Sequence, residues 1–400
     1  MSVDLADVLV DLADVLVDVD VVLCCGAGGV GKTTTAAALG LAAVRAGRGR
    51  VLVLTIDPAR RLADALGLES FGNVETAVVV PGAPAGSELW VAMLDTSASW
   101  DDLVRTHAPD PITMERILSN QLYRNITQRF VQSHDYIAME RLHAVHQSGR
   151  YDLIVIDTPP SRNALDFLDA PSRMTDFFSS SLLKWITLPY RLGGERVGRL
   201  GYLASKPFYQ VADRILGSQF LADIAEFFLL FQTMYDGFVH RATDVERLLH
   251  RRSTRFVVVS SLEPAPLQEA EFFLAELGRR SLSIGALVLN RVLPELLFDP
   301  DARRLAARLV DPAGGEDPNI PATERRTMKR AAMAFLDLAA LGDAERTARS
   351  TLANPPTCVI EVPLVPLDLQ DLGGLVALAD LLWPARKTVK RSARSRKTPP

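Results

Sequence analysis

Residues 26–33, Gly-Ala-Gly-Gly-Val-Gly-Lys-Thr, constrain this chain more than any other stretch. They match G-x-x-x-x-G-K-[ST], the phosphate-binding loop. Gly26, Gly28, Gly29 and Gly31 carry no Cβ, so the backbone can turn tightly and approach a phosphate chain. With Ala27 and Val30 they place successive N–H groups around a concave anion site at a helix N-terminus, where the helix dipole adds positive potential. Lys32 is expected to reach the β- and γ-phosphates, and the Thr33 hydroxyl to complete the shell of a Mg²⁺ ion. The flanks agree with the motif. Asp20-Val-Val-Leu-Cys-Cys25 reads as a buried strand entering the loop, and Thr34-Thr-Ala-Ala-Ala-Leu39 reads as a helix leaving it. A Gly-rich turn with a chance Lys-Thr pair is the alternative, and that context argues against it.

The apolar strands recur. Arg50–Asp57, Leu89–Asp95, Tyr151–Asp157, Arg255–Ser261, Ser283–Leu289 and Cys358–Val362 all read as short apolar strands. Between them, Thr96 to Gly149, Ser161 to about His250, and about 323–349 read as helical, while the Pro- and Gly-rich run 311–321 reads as a loop. Alternating apolar strands and helices predict an α/β fold: a mostly parallel sheet covered by helices on both faces, of the P-loop NTPase type, with an inserted helical subdomain. The domain reading is an acidic arm at 1–18, one ATPase domain at 19–382 with its helical subdomain from about 96–145 and 165–250, and a basic tail at 383–400. The arm contains Val-Asp-Leu-Ala-Asp-Val-Leu twice in succession. It suits either a short helix packing on a partner or a frayed leader outside the fold.

Charge narrows the function classes. The net charge is −4, and the last seventeen residues carry seven Lys or Arg and no acid, so removing those seven positive charges leaves −11 for the body. An acidic body disfavours nucleic-acid binding, and the tail alone could touch phosphate or anionic lipid. Three cysteines, two of them adjacent in a predicted strand, give no disulfide framework and suggest a reducing cytoplasm. No run of about 18 uncharged apolar residues occurs, so no membrane span is expected, and the tail leaves room for peripheral attachment.

Ligands of open α/β sheets sit at the carboxyl edge of the strands. That edge collects Thr33 and Asp157 as the metal-side pair. Asp57 is a candidate to orient the attacking water, or alternatively to cap the following helix. Asn290 follows its predicted strand immediately, where a side-chain amide could read a base edge. The sequence there, Asn290-Arg-Val-Leu, lacks the Asn-Lys-x-Asp that reads guanine, which favours ATP over GTP.

Gly26-x-Gly-Gly-Val-Gly-Lys-Thr-Thr34, Asp57-Pro-Ala59, and Asp157-Thr-Pro-Pro160 with Phe167-Leu-Asp-Ala-Pro171 together resemble the ArsA-type ATPases. That family includes the arsenite-pump ATPase and the ATPase that delivers tail-anchored membrane proteins. The resemblance runs over most of 19–380. It implies a nucleotide-sandwich dimer that closes on ATP and Mg²⁺, with Asp57 in a first switch and 157–160 in a second. It also implies an adenine pocket formed by Asn290 and the loop from Pro363 and Leu364 to Leu367, and a helical client-binding subdomain. The family's signature lysine falls at position 27, where this chain has Ala27. A heterodimer with a related, lysine-bearing subunit is therefore expected, and a homodimer using Arg60 or Arg162 is the rival. A weakly active nucleotide-binding scaffold and an arsenite- or anion-pump subunit are the alternative readings of function. Arg162-Asn163 replaces the Gly-His that often follows the second switch.

Other metal chemistry finds little support. There is no Cys-x-x-Cys for an interfacial zinc, and Cys24, Cys25 and Cys358 lie in predicted strands, poorly placed to trap arsenite. His143 and His146 share a helix face without further ligands. Phe177, Phe178, Leu182, Leu183, Trp185 and Ile186, with Phe220, Leu221 and Phe227–Phe231, could line a groove for a partner's apolar helix. Ordinary helix packing explains the same residues.

Overall fold

The computed structural model describes residues 12–56, 61–68, 72–129, 131–159, 168–169, 173, 176, 218–311, 320–352, 355–364 and 371–383. Eight strands build one sheet: β1 (Val21–Gly26), β2 (Arg50–Thr55), β3 (Thr76–Val78), β4 (Glu88–Met93), β5 (Leu153–Asp157), β6 (Thr254–Ser260), β7 (Ile284–Val292) and β8 (Val359–Pro363). Their order across the sheet is β3-β4-β2-β5-β1-β6-β7-β8. Every pairing is parallel except β3 with β4.

The central strands are apolar along their whole length because both faces are covered. Alternation sends their side chains to two cores. Val21, Leu23 and Cys25 of β1, Leu52 and Leu54 of β2, and Ile154 and Ile156 of β5 join the core under the helices of 96–147, 218–249 and 264–279. Val22 and Cys24, Val51 and Val53, and Leu153 and Val155 face the other side, under helices Lys32–Arg45 and Leu372–Leu382. Leu12, Leu16 and Val19 are buried in this second core. The second copy of the N-terminal repeat thus lies against the sheet, where its leucines gain the burial that an isolated acidic helix could not provide.

The region 96–149 resolves into four helices, Thr96–His107, Pro111–Ser119, Gln121–Arg129 and Val131–Gln147. Asp95 and Asp110 cap the first two, their carboxylates accepting from Ala98 N and from Ile112 and Thr113 N. An aromatic cluster ties these helices to 218–249. Trp100 stacks on Tyr136 at 5.8 Å and Phe231 on Phe238 at 5.1 Å. These rings belong to the same continuous core as Leu52, Ile156 and Phe256 of the sheet. Of the expected apolar groove, Phe227, Leu230 and Phe231 are buried in this cluster, as ordinary packing requires. Phe177 to Ile186 and the side chains of Phe220 and Leu221 fall outside the described residues, as does the expected loop at 312–319.

The helix expected near 323–349 spans Ala322–Ser350. The sequence reading leaves helices Pro264–Arg279, Pro300–Val310 and Leu372–Leu382 and the short strand β3 unassigned. The last helix contains two adjacent glycines, poor helix formers. Capping by Asp371 and burial of Leu375, Leu378 and Leu382 outweigh that cost. Among the described residues no helix is long and apolar enough to cross a membrane.

Candidate functional site

β1 delivers the chain to the carboxyl edge of the sheet, and the loop from Gly26 to Gly31 turns it into helix Lys32–Arg45. Two glycines are required by geometry. Gly26 has φ 153°, and a Cβ there would sit 2.0 Å from the carbonyl oxygen of Val259 on β6. Gly31 has φ 97°, and its Cβ would fall 2.4 Å from Asn290 Nδ2. Gly28 and Gly29 have open space where a Cβ would point, so the cradle is open above the loop. Gly31 caps the helix in a left-handed conformation and has no side chain with which to cap the first turn. A helix start of this kind suits an anion, because the first-turn amides point outward and the dipole favours negative charge.

Lys32 is largely buried and curls back over the loop, its ammonium donating to the Ala27 carbonyl at 2.8 Å. Thr33 is the first site residue to reach across the sheet edge. Its hydroxyl donates to Asp157 Oδ2 at 2.7 Å. The Asp157 side chain is fully buried at the end of β5. Thr55, the last residue of β2, donates to the same oxygen at 2.9 Å. The carboxylate is therefore oriented by two hydroxyls from two neighbouring elements. Thr158 closes the next position, its hydroxyl donating to the Cys24 carbonyl at 2.9 Å. Thr55 is the residue that sequence reasoning passes over, and Thr158 enters there only within the 157–160 motif. The signal for Thr55 is a hydroxyl after the Val-Leu-Val-Leu run of β2, at the sheet's ligand edge.

Asn290 does not follow its strand, as the sequence suggests, but lies within it. β7 runs on to Val292 through an irregularity after Leu289, and Arg291 adopts φ 61°. The Asn290 amide donates to the Val30 carbonyl at 2.7 Å, and its oxygen accepts from Arg291 N at 3.0 Å. It therefore braces the phosphate loop. Pro363 likewise ends β8, paired with Val292, because Leu364 N donates to Val292 O at 2.8 Å and extends the ladder. Both Pro363 and Leu364 are exposed at the same edge as Asn290. Thr34 is half-buried in the first helical turn, and Ala27 is buried.

Asp57 and Arg60 lie outside the described residues, as does Arg162. The residue before Asp57, Ile56, donates its N–H to the Asp157 carbonyl at 3.0 Å.

The donor set suits Mg²⁺: a hydroxyl and a carboxylate, both hard oxygens, beside an open anion cradle. It does not suit a soft metalloid. Burial pushes the Cys25 thiol up to about 12 and Cys24 well above its ordinary value, so both are protonated at neutral pH. Among the described residues no group of three or more His, Cys, Asp or Glu could hold a metal. His143 and His146 are half-buried, and burial lowers the pKa of each.

A parallel sheet with a glycine loop feeding a helix, and a buried aspartate at the end of the neighbouring strand that accepts from the threonine after the loop's lysine, defines a phosphate-loop nucleoside triphosphatase. Residues 19–311 match the ArsA ATPase family model, described as anion-transporting ATPase, and the chain belongs to that family of ATPases. It is 27% identical over 272 residues to a protein of Entamoeba dispar named ATPase ASNA1 homolog, covering 67% of this chain and 75% of that one. It is 27% identical to ATPase ASNA1 homolog 1 of Paramecium tetraurelia, covering 67% of this chain and 73% of the relative. A protein of Aspergillus terreus named ATPase get3 is 27% identical over 269 residues, covering 67% of this chain and 72% of its own.

Proposed function

We propose that the chain binds ATP in the cradle of residues 26–34 and hydrolyses it with Mg²⁺ held by Thr33 and Asp157. The observation that carries this reading is the 2.7 Å bond between those two side chains, directly beside open main-chain amides and the Lys32 ammonium. The loop amides bind the phosphate oxygens, and Lys32 leaves the Ala27 carbonyl to neutralise charge on the β- and γ-phosphates. Thr55 and Thr33 keep the Asp157 carboxylate in one orientation. The ion, when bound, supplies neutralisation of the phosphate charge. Asp57 orients the attacking water. Asn290 braces the loop from below, and the adenine lies along the edge formed by Asn290, Pro363 and Leu364.

The working unit in this reading is a dimer that closes on ATP and reshapes the helical layer of 96–147 and 218–249, a layer that receives an apolar helix of a client. Position 27 supplies only a methyl group, so the cation that crosses to the partner's phosphates comes from elsewhere. A related subunit bearing a lysine at that position fits this need. ATP turnover of the purified chain, alone and then with a lysine-bearing relative from the same cell, is the test. Turnover that rises several-fold on mixing is expected. Full turnover by the chain alone overturns the heterodimer, and tight ATP binding with no turnover in either case favours a nucleotide-binding scaffold.

A further inference from the structure

A cavity of 330 Å³ opens in the helical layer, between helices Thr96–His107, Val131–Gln147 and Tyr235–Leu249, with Asn73 at one edge. None of the phosphate-loop residues lines it. Its volume falls at the small end of ligand sites. Leu103 and Ile137 give it an apolar wall, and Arg141, His143 and Arg241 give it a wall of donors.

The two arginines are each anchored through one part, and all three side chains leave a buried nitrogen with no hydrogen-bond partner. Arg241 Nε donates to both oxygens of Glu140, at 3.0 and 2.8 Å, and its Nη2 has none. Arg141 Nη2 donates to the Asn73 carbonyl at 2.7 Å and to Glu75 Oε1 at 2.8 Å, and its Nε has none. His143 Nε2 lies 3.8 Å from Asp244 Oδ2, beyond hydrogen-bond range, and has none either. Buried polar atoms are nearly always paired, and three residues that line one cavity each carry an unpaired nitrogen. For the two guanidinium nitrogens the missing partner is an acceptor.

The acids nearby are already engaged. Glu140 takes the Arg241 fork and the Tyr136 hydroxyl. Asp102, exposed at the rim, is paired with Arg105. We propose that this cavity binds a small metabolite whose carboxylate or phosphate oxygens accept from Arg241, Arg141 and His143, with a short apolar body against Leu103 and Ile137. Planar guanidinium groups suit such oxyanions because they offer paired donors in a fixed plane.

Titration calorimetry tests the site with succinate and inorganic phosphate as probes, on full-length protein saturated with ADP so that the phosphate loop is occupied. Ala144→Trp, at the exposed rim, plugs the cavity without removing a buried charge. His143→Leu removes one orphaned nitrogen at similar volume. Saturable binding of at least one probe is expected below about 10 mM, weakened by roughly tenfold or more in both variants while ADP affinity stays unchanged. Binding of succinate alone identifies a carboxylate ligand, and binding of phosphate alone a phosphate ester. Absence of saturable binding of both probes, or equal binding by wild type and both variants, overturns the proposal. Should Ala144→Trp fail to fold, His143→Leu decides the matter.

Discussion

Replacing Thr55 with valine perturbs the site through a single atom. Thr55 is fully buried at the end of β2, and its hydroxyl donates to Asp157 Oδ2 at 2.9 Å, the oxygen that also accepts from Thr33 at 2.7 Å. Valine keeps the β-branched shape that suits the strand and removes only the donor. A hydrogen bond to a charged group contributes about 1.5–3 kcal/mol. At about 1.4 kcal/mol per decade, losing it from the reactive geometry lowers kcat/KM by roughly ten- to 150-fold. The loss comes with weaker Mg²⁺ dependence, because the carboxylate can rotate away from Thr33. Phosphate release is measured against Mg²⁺ concentration for wild type, Thr55→Val and Thr55→Ser. Serine restores the donor and is expected to recover most of the activity. If valine left turnover and Mg²⁺ half-saturation within about twofold of wild type, the hydroxyl would have no part in positioning Asp157. If serine were as impaired as valine, shape rather than hydrogen bonding would be the cause.

Lys32→Ala removes the only ammonium over the loop within the motif and is expected to lower kcat by roughly 10²–10³-fold; equal turnover in a coupled ATPase assay would end the phosphate-loop reading. Gly26→Val drives a Cβ to within 2.0 Å of the Val259 carbonyl, where β1 pairs with β6, so urea unfolding should show a loss of about 3 kcal/mol or more; an unchanged midpoint contradicts that packing. The Cys25 thiol, ordinarily near 9.0 and pushed up to about 12 by burial, keeps its proton in the folded chain while the unfolded chain loses it. Its contribution is therefore complete below about pH 9 and is lost as pH rises toward 12, at about 1.4 kcal/mol per pH unit. Cys25→Ala should flatten the alkaline fall in stability by that slope, and an identical slope in both proteins would show that the thiol ionises freely in the fold.

The sheet was legible in the sequence because seven of its eight strands leave the same local trace, a short apolar run. β1 and β5 were the clearest, since both are buried on two faces and need apolar side chains at every position. β3 left no such trace. Its three residues, Thr76–Val78, form an edge that is only partly covered, and their pairing with β4 is decided by distant chain. The helix at 372–382 was hidden for the opposite reason. Its glycines speak against a helix locally, and its leucines find their partners on helix Lys32–Arg45, more than three hundred residues earlier.

The phosphate loop, Thr33 and Asp157 follow from residue order, because a glycine turn between strand and helix and an aspartate ending a buried strand are local patterns whose chemistry is carried by adjacent atoms. The tertiary structure alone decided that Thr55 shares Asp157 with Thr33, that Asn290 holds the loop at Val30, and that the second N-terminal repeat belongs to the core. It also gathered Arg141, His143 and Arg241 around one cavity from two helices about a hundred residues apart. A hydrogen bond between residues far apart in sequence leaves no periodic trace along the chain, since its partners are fixed only when the sheet sets strand order and register.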